Sequence, residues 1–134
     1  MNAAVRTSGG IKFESQVPLP KEKATGQVLL RVRAAAINPV DYKLPKWLVG
    51  PVVGIDVAGV VESVSPDVTQ YKPGDEVFGF ASGGSLAQYA VADADKLAQK
   101  PEDVPFSVAA DSAAFFFCLP CAAFNALMLR FTTR

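Results

Sequence analysis

The amino-acid sequence predicts a mainly β domain, a small and partly open barrel of short strands that is followed by a helix. Three observations lead to this class. Residues 27–36 alternate apolar and polar side chains, which is the period of a half-buried strand. Residues 51–63 form a β-branched run broken by Gly54 and Gly59, and glycines inside a strand mark bulges or barrel corners. From Pro105 the pattern is helical and rich in alanine.

Turn signals divide the rest of the domain into further short strands, as in an all-β barrel. Gly9-Gly10 provides the turn of an N-terminal hairpin, and residues 81–84 separate the last two strands. Asn38-Pro39 ends the alternating strand, because proline favours an extended residue before it, and residues 41–47 then form a short, irregular segment. Ser65-Pro66-Asp67 is expected to join the long strand to its successor by a tight turn. The predicted strands are 3–7, 12–16, 27–36, 51–63, 77–80 and 86–92.

Length, charge and composition limit the possible functions. The 134 residues suffice for one domain with its own core, and half of them are hydrophobic. Lys and Arg together number 13, as do Asp and Glu, so the formal net charge is zero and nucleic-acid binding has no electrostatic support. The chain has no histidine, which excludes serine or cysteine catalysis by a histidine base within these residues.

The N-terminus leads into no long apolar run and therefore predicts no secretory signal and a cytoplasmic protein. The two cysteines, Cys118 and Cys121, suit a reducing compartment better than a disulfide scaffold. As a C-x-x-C pair they also suggest redox chemistry. The strand and helix frame of thioredoxin-like sites is missing from the pattern, so apolar packing is their expected role.

Four segments occur in an order and spacing that point to a known family: residues 28–36 leading into Asn38-Pro39-Val40-Asp41-Tyr42-Lys43, then 54–62, 74–79 and 84–89. Over about residues 3–110 the sequence resembles the medium-chain dehydrogenase/reductase superfamily. Within that superfamily it is most similar to the zinc-free quinone oxidoreductase and enone (alkenal) reductase branch.

The resemblance implies a GroES-like barrel at residues 1–110, the substrate side of a cleft whose other wall, in the family, is a Rossmann domain. Residues 111–134 would begin an Ala/Phe-rich helix that leads toward that domain, and the Rossmann domain itself is expected to be absent from this chain. In the family the cleft holds NADPH and a quinone or α,β-unsaturated carbonyl, and hydride passes from the nicotinamide to the substrate. Alone, this polypeptide is expected to bind NADPH weakly or not at all and to be inactive.

The resemblance also implies that no zinc is bound. Zinc-dependent members have a Cys where Asn38 stands and a His-Glu pair where Ile55-Asp56 stand, and this chain has neither. It also lacks the four-cysteine structural lobe. Without histidine, and with only two neighbouring cysteines, a four-ligand zinc site cannot be assembled.

The candidate site residues follow from the resemblance. Lys43 and Asn38 are predicted to be catalytic, because a cation or amide donor at the substrate carbonyl stabilises enolate charge when zinc is absent. Lys43, Tyr42 and Asp41 are predicted to contact the cofactor. The structural alternatives are a turn role for Asn38, a packing role for Tyr42 and a solvated cation for Lys43. For Asp41 a helix-start carboxylate is favoured over a catalytic role.

Several other polar residues are expected to be structural. Asp56 is predicted to be hydrogen-bonded within the barrel, Glu62 to face solvent, and Asp75 to accept backbone N–H bonds in a Pro-Gly-Asp turn. Gly83-Gly84 lacks the following helix with Lys and Ser or Thr that a phosphate cradle needs. A loop along the cleft is the functional alternative for these glycines.

Residues 112–129 are an uncharged stretch that supports two rival interpretations. In the first, an exposed apolar tail makes the chain a non-catalytic, self-associating interaction module. In the second, the tail tethers the chain to a membrane, an interpretation that Pro120 and Asn125 weaken. The expected partners are a quinone or enone small molecule and a second copy of the chain, with no nucleic acid.

Overall fold

The computed structural model describes residues 1–21, 25–43, 47 and 50–113, and this part of the chain is built mainly from short strands. In chain order the elements are β1 (Ala3–Thr7), β2 (Gly10–Glu14), β3 (Gln27–Ala35), α1 (Pro39–Lys43), β4 (Asp56–Val64), β5 (Glu76–Phe80), β6 (Tyr89–Asp93), β7 (Leu97–Gln99) and α2 (Phe106–Ser112). A 3₁₀ turn, Ala94–Lys96, separates β6 from β7. The predicted mainly β class is confirmed.

Five of the strands form one open sheet in the order β6-β3-β4-β5-β7. β3 alternates as predicted, with Val28 and Leu30 fully buried and Arg31 and Arg33 exposed. Two register shifts between β3 and β4 bend the sheet, as expected for a GroES-like barrel that remains partly open. Every pairing among the described strands is antiparallel, so the described ranges contain no parallel nucleotide-binding sheet.

The central strand β4 begins later than the pattern 51–63 predicts. Gly54 has a φ of +100° and its carbonyl accepts loop hydrogen bonds from the backbone of Gly84 and Ser85, so the chain is not yet in the sheet there. A Cβ on Gly54 would overlap the Ser85 side chain. Gly59 lies inside β4, where a Cβ would overlap the carbonyl oxygen of Arg31 on β3. Both glycines therefore allow close backbone approach, as the sequence indicated.

The prediction of one tight turn between β4 and the next strand was wrong. The chain does turn at Ser65, whose carbonyl accepts a bond from the Val68 backbone at 2.9 Å. A second turn then follows, in which the Asp75 backbone N–H donates to the carbonyl of Lys72 at 3.1 Å. β5 begins only at Glu76. The polar residues between the two turns carry no strand pattern, so the sequence did not show the length of this connection.

β1 and β2 form a separate hairpin that isolated bridges join to the rest of the domain. Ala3 bridges to Ala87 and Val5 to Val52, both in antiparallel fashion. The whole of β2 is exposed, including Phe13 with an exposed fraction of 75%. The N-terminal hairpin was predicted, although its second strand is shifted by two residues toward the turn.

The core has two parts, one on each side of the sheet. The first is enclosed by apolar side chains of all five strands, among them Val28, Leu30, Val57, Val61, Val77 and Leu97. In the second, Ala109 and Ala110 of α2 pack on Phe78 and its neighbours. Lys100 fastens the start of this helix to the sheet, because its buried ammonium group contacts Glu76 of β5 at 2.9 Å and lies 5.0 Å from the centroid of the Phe106 ring.

The predicted Ala/Phe-rich helix is only partly covered by the structure. The helical pattern predicted from Pro105 corresponds to α2, Phe106–Ser112, of which only the last two residues belong to the predicted segment 111–134. The Phe-rich run, the C-x-x-C pair and the rest of the tail, residues 114–134, lie outside the described residues. The domain division at residue 110 therefore stays a prediction. Over the described ranges, no helix is long and apolar enough to span a membrane.

Candidate functional site

A polar cluster lies where β3 ends and β4 begins. The two strands are antiparallel neighbours with Ala35 opposite Val57, so the chain leaving β3 passes beside the first residue of β4. Three residues after β3, the Asn38 side chain donates from Nδ2 to Oδ2 of Asp56 at 2.6 Å. Asp56 is 1% exposed, and its predicted hydrogen bond within the barrel is thereby confirmed.

Asp41 joins this cluster through the backbone of Asn38. The backbone N–H of Asn38 donates to Oδ2 of Asp41 at 2.7 Å, and the backbone N–H of Asp41 donates back to the Asn38 carbonyl at 2.9 Å. This reciprocal pair holds the first turn of α1, much as a capping box does. The helix-start role predicted for Asp41 is confirmed. Its other oxygen, Oδ1, is buried and has no hydrogen-bond partner among the described residues.

Arg6 of β1 fixes the position of α1 through hydrogen bonds to backbone carbonyls. No pattern in the sequence predicts these bonds. Its Nη2 donates to the backbone carbonyl of Asp41, and its Nη1 donates to the carbonyls of Gly50 at 3.1 Å and Val52 at 3.2 Å. The guanidinium group thus connects the hairpin, the helix and the entry to β4. No local pattern shows this, because the partners are at least 35 positions away in the chain.

Burial makes the Asp56 carboxyl harder to ionise. Loss of water around it is the largest effect and raises its pKa to about 6. The bond from Asn38 acts in the opposite direction, whereas the nearby carboxylates of Asp41 and Asp111 raise the pKa further. Near neutral pH the group is therefore ionised in most molecules but within reach of protonation.

Tyr42 and Lys43 lie on the outer side of α1. Both are exposed, Tyr42 to 61%, whereas Asp41 beside them is buried. Tyr42 lines an open depression of about 530 Å³ together with Arg6, Thr7, Ser8, Gly10 and Ile11. The structure therefore brings the predicted Asn38 and Asp41 together with Asp56, and places the predicted Tyr42 and Lys43 on the adjacent open surface.

The remaining polar predictions can be compared with the structure directly. Glu62 is exposed, with Oε2 at 3.9 Å from Nε of Arg31, and Asp75 accepts the backbone N–H of Lys72 at 3.0 Å, so both predictions are confirmed. Gly83-Gly84 is a turn of positive φ that packs against a side chain of the loop before β4. In the described ranges, no three carboxylate or thiol groups lie close enough together to hold a metal ion.

Comparison with known proteins identifies the fold. The alcohol dehydrogenase GroES-like domain matches residues 24–102. A chloroplastic quinone-oxidoreductase homolog of Spinacia oleracea is 37% identical over 124 residues, which cover 84% of this chain and 35% of the relative. A chloroplastic NADPH-dependent alkenal/one oxidoreductase of Arabidopsis thaliana is 39% identical over 116 residues, which cover 75% of this chain and 30% of the relative.

A solved structure agrees with these matches. A mycobacterial protein complexed with NADPH superposes with a TM-score of 0.73 at 28% identity, which covers 90% of this chain and 42% of that protein. This chain spans about a third of the length of the curated relatives it matches. The chain therefore belongs to the alcohol dehydrogenase GroES-like domain family, within the medium-chain dehydrogenase/reductase superfamily, where its relatives include quinone and alkenal oxidoreductases.

Proposed function

We propose that this chain is the substrate-side domain of a zinc-independent, NADPH-dependent quinone or enone oxidoreductase. The observation that carries the proposal is the cluster at the end of β3. There the half-buried Asn38 and the buried Asp41 and Asp56 form a network beside the exposed pair Tyr42-Lys43. The network fixes a helix of only five residues, so its exposed side chains stand at a defined place on the open surface.

The residues present suit a nicotinamide cofactor. Lys43 offers a cation that can contact ribose hydroxyls or the substrate oxygen, and Tyr42 offers an exposed ring of the kind on which planar groups stack. When bound, NADPH supplies the hydride. The role proposed for Lys43 is to stabilise negative charge as it develops on the substrate oxygen. Asn38 contacts the ligand from the half-buried edge of the same site.

The zinc-independent part of the proposal rests on side-chain chemistry. The position where zinc-dependent members have a cysteine is taken by an amide, and this amide is bonded to the carboxylate of Asp56. An amide and a carboxylate held to each other in this way do not make a nitrogen and sulfur ligand set for zinc.

We further propose that residues 1–134 by themselves bind NADPH weakly and turn over negligibly. In this class of enzyme most of the affinity for the cofactor comes from a glycine-rich turn at the N-terminus of a helix. The described ranges contain only antiparallel pairings, and hence no frame for such a turn.

Titration of the uniformly ¹⁵N-labelled chain with NADPH, followed by backbone NMR, tests both proposals. We expect millimolar binding that shifts the amide signals of residues 38–43. The variant Lys43→Met should weaken it several-fold. Lys72→Met, which removes another exposed lysine from the connection after β4, should leave it unchanged. Micromolar affinity would contradict the proposed weakness, and shifts confined to other surfaces would contradict the proposed site.

Self-association remains the alternative, and one observation favours it. β2 is exposed along its whole length and carries Phe13 at 75% and Ile11 at 50% exposure. An uncovered apolar edge of this kind promotes pairing between chains. Light scattering of the full chain over a range of concentrations would show a rising mass if this alternative holds and a constant monomer mass if it does not. The cytoplasmic location stays a prediction.

A further inference from the structure

The orientation of the Asn38 amide follows from its contact with Asp56. An ionised carboxylate only accepts hydrogen bonds, so the amide must turn its Nδ2 toward Asp56, which it does at 2.6 Å. The carbonyl oxygen Oδ1 and the second N–H of Nδ2 are then not used by this bond. Asn38 is half-buried, so part of the residue remains accessible to solvent, and Tyr42 and Lys43 in the following helix are exposed.

We propose that Asp56 is a positioning residue, which occupies one N–H of the Asn38 amide and so fixes how the carbonyl oxygen and the second N–H face the ligand. The site would then best bind a ligand group that both donates and accepts hydrogen bonds, such as a hydroxyl or a carboxamide. A quinone, which has only acceptors, could use only the second N–H of Asn38. The claim that a ligand binds at Asn38 rests on the proposed function. The claim that Asp56 positions the Asn38 amide does not.

Two further features hold the amide in this orientation. The backbone of Asn38 is already fixed by its reciprocal bonds with Asp41, so only the side-chain torsions remain for Asp56 to restrain. The Asp41 carboxylate is a second acidic group beside the same residue, because its Oδ2 accepts the Asn38 backbone N–H at 2.7 Å. Two carboxylates near one another favour the positive, N–H end of the amide dipole on their side.

The orientation should depend on whether Asp56 is ionised, because a protonated carboxyl can donate to Oδ1 and allow the amide to turn over. Burial places the pKa of Asp56 at about 6. The charges that face it are Asp41 from α1 and Asp111 from α2, while β5 places Phe80 opposite it in the sheet. The Arg6 guanidinium donates to the backbone carbonyl of Asp41.

Selective labelling makes the amide directly observable, since the chain contains only the asparagines Asn2, Asn38 and Asn125. With [¹⁵N]asparagine in the full chain, the Asn38 side-chain pair should titrate with a midpoint near pH 6. In Asp56→Asn, whose amide oxygen can still accept the bond, the pair should keep its high-pH shifts at all pH values. In Asp56→Leu it should move to the shifts of a solvated amide. A flat profile in the native chain, or the same titration in Asp56→Asn, would overturn the inference.

Ligand titration at pH 7.5 separates this inference from the proposed function. NADPH, whose ribose and carboxamide groups both donate and accept hydrogen bonds, should shift the Asn38 amide pair more than duroquinone does at equal saturation, because duroquinone can use only the second N–H. If duroquinone alone shifts it, the assignment of Asn38 as an acceptor is wrong. If neither probe shifts any signal of residues 38–43 while the pH results hold, the proposed function fails and the positioning role of Asp56 stands.

Discussion

Replacement of Asp56 by asparagine should stabilise the protein at neutral pH, although the wild-type residue is hydrogen-bonded. Asp56 is 1% exposed and is the first residue of the central strand β4. Its carboxylate must therefore lose most of its water on folding. An asparagine in its place has nearly the same shape, carries no charge and can still accept the bond from Asn38.

The magnitude follows from the change in pKa on folding. The pKa of Asp56 rises from 3.8 to about 6, mainly because burial disfavours the charged form, and each pKa unit corresponds to about 1.36 kcal/mol. Well below pH 3.8 the carboxyl is protonated in both the folded and unfolded states, so its burial does not reduce the free energy of unfolding. Between pH 3.8 and about 6 the unfolded chain releases this proton first, and above pH 6 the folded state has lost about 3 kcal/mol of stability.

Urea unfolding of the full chain between pH 4 and 8 measures this difference. The free energy of unfolding of Asp56→Asn, minus that of the native chain, should grow by about 2 kcal/mol between pH 4 and 7, because part of the full difference is already present at pH 4. Asp67→Asn, which removes a carboxylate from the exposed connection after β4, controls for the loss of one surface charge. If the native and Asp56→Asn proteins show parallel pH profiles, the reasoning about burial is refuted.

Two further substitutions test how the sheet and α2 are held, again by urea unfolding. Gly59→Ala should destabilise the protein by about 3 kcal/mol, because its Cβ would overlap the carbonyl oxygen of Arg31. Gly9→Ala, where no atom lies near the added Cβ, should change the free energy of unfolding by less than about 0.5 kcal/mol. Equal effects of the two substitutions would show that β3 and β4 can move apart to accept the Cβ. Lys100→Met should cost about 2 kcal/mol, because its buried ammonium binds a carboxylate and two backbone carbonyls. Lys96→Met, which removes a half-exposed ion pair, should cost less than about 1 kcal/mol, and a larger loss there than at Lys100 would contradict the fastening role.

Strands that are buried on one side could be predicted from the sequence. β3 shows this best, because its alternating apolar and charged residues correspond to one core face and one solvent face. β7 was missed for the opposite reason. It has three residues, follows a 3₁₀ turn and is a strand only because β5 offers it an edge to pair with. Its sequence alone has too few residues for a period to be seen.

The candidate site was predicted in part. Asn38 and Asp41 could be selected from one continuous motif, and the helix-start role of Asp41 is a local effect that spacing can predict. Asp56 was recognised as a buried, bonded residue, but its partner was not. Arg6 was missed altogether, because it binds backbone carbonyls whose positions depend on how distant loops are folded.

The sequence by itself determined the family, the mainly β class and the residues of the motif around α1, because periodicity, turn residues and motif order are properties of neighbouring positions. The tertiary structure alone decided that Asn38 meets Asp56, which lies 18 positions away. That contact depends on the register of β3 against β4. The raised pKa of Asp56 also depends on the tertiary structure, because the loss of water around a carboxyl group depends on all the residues that pack against it.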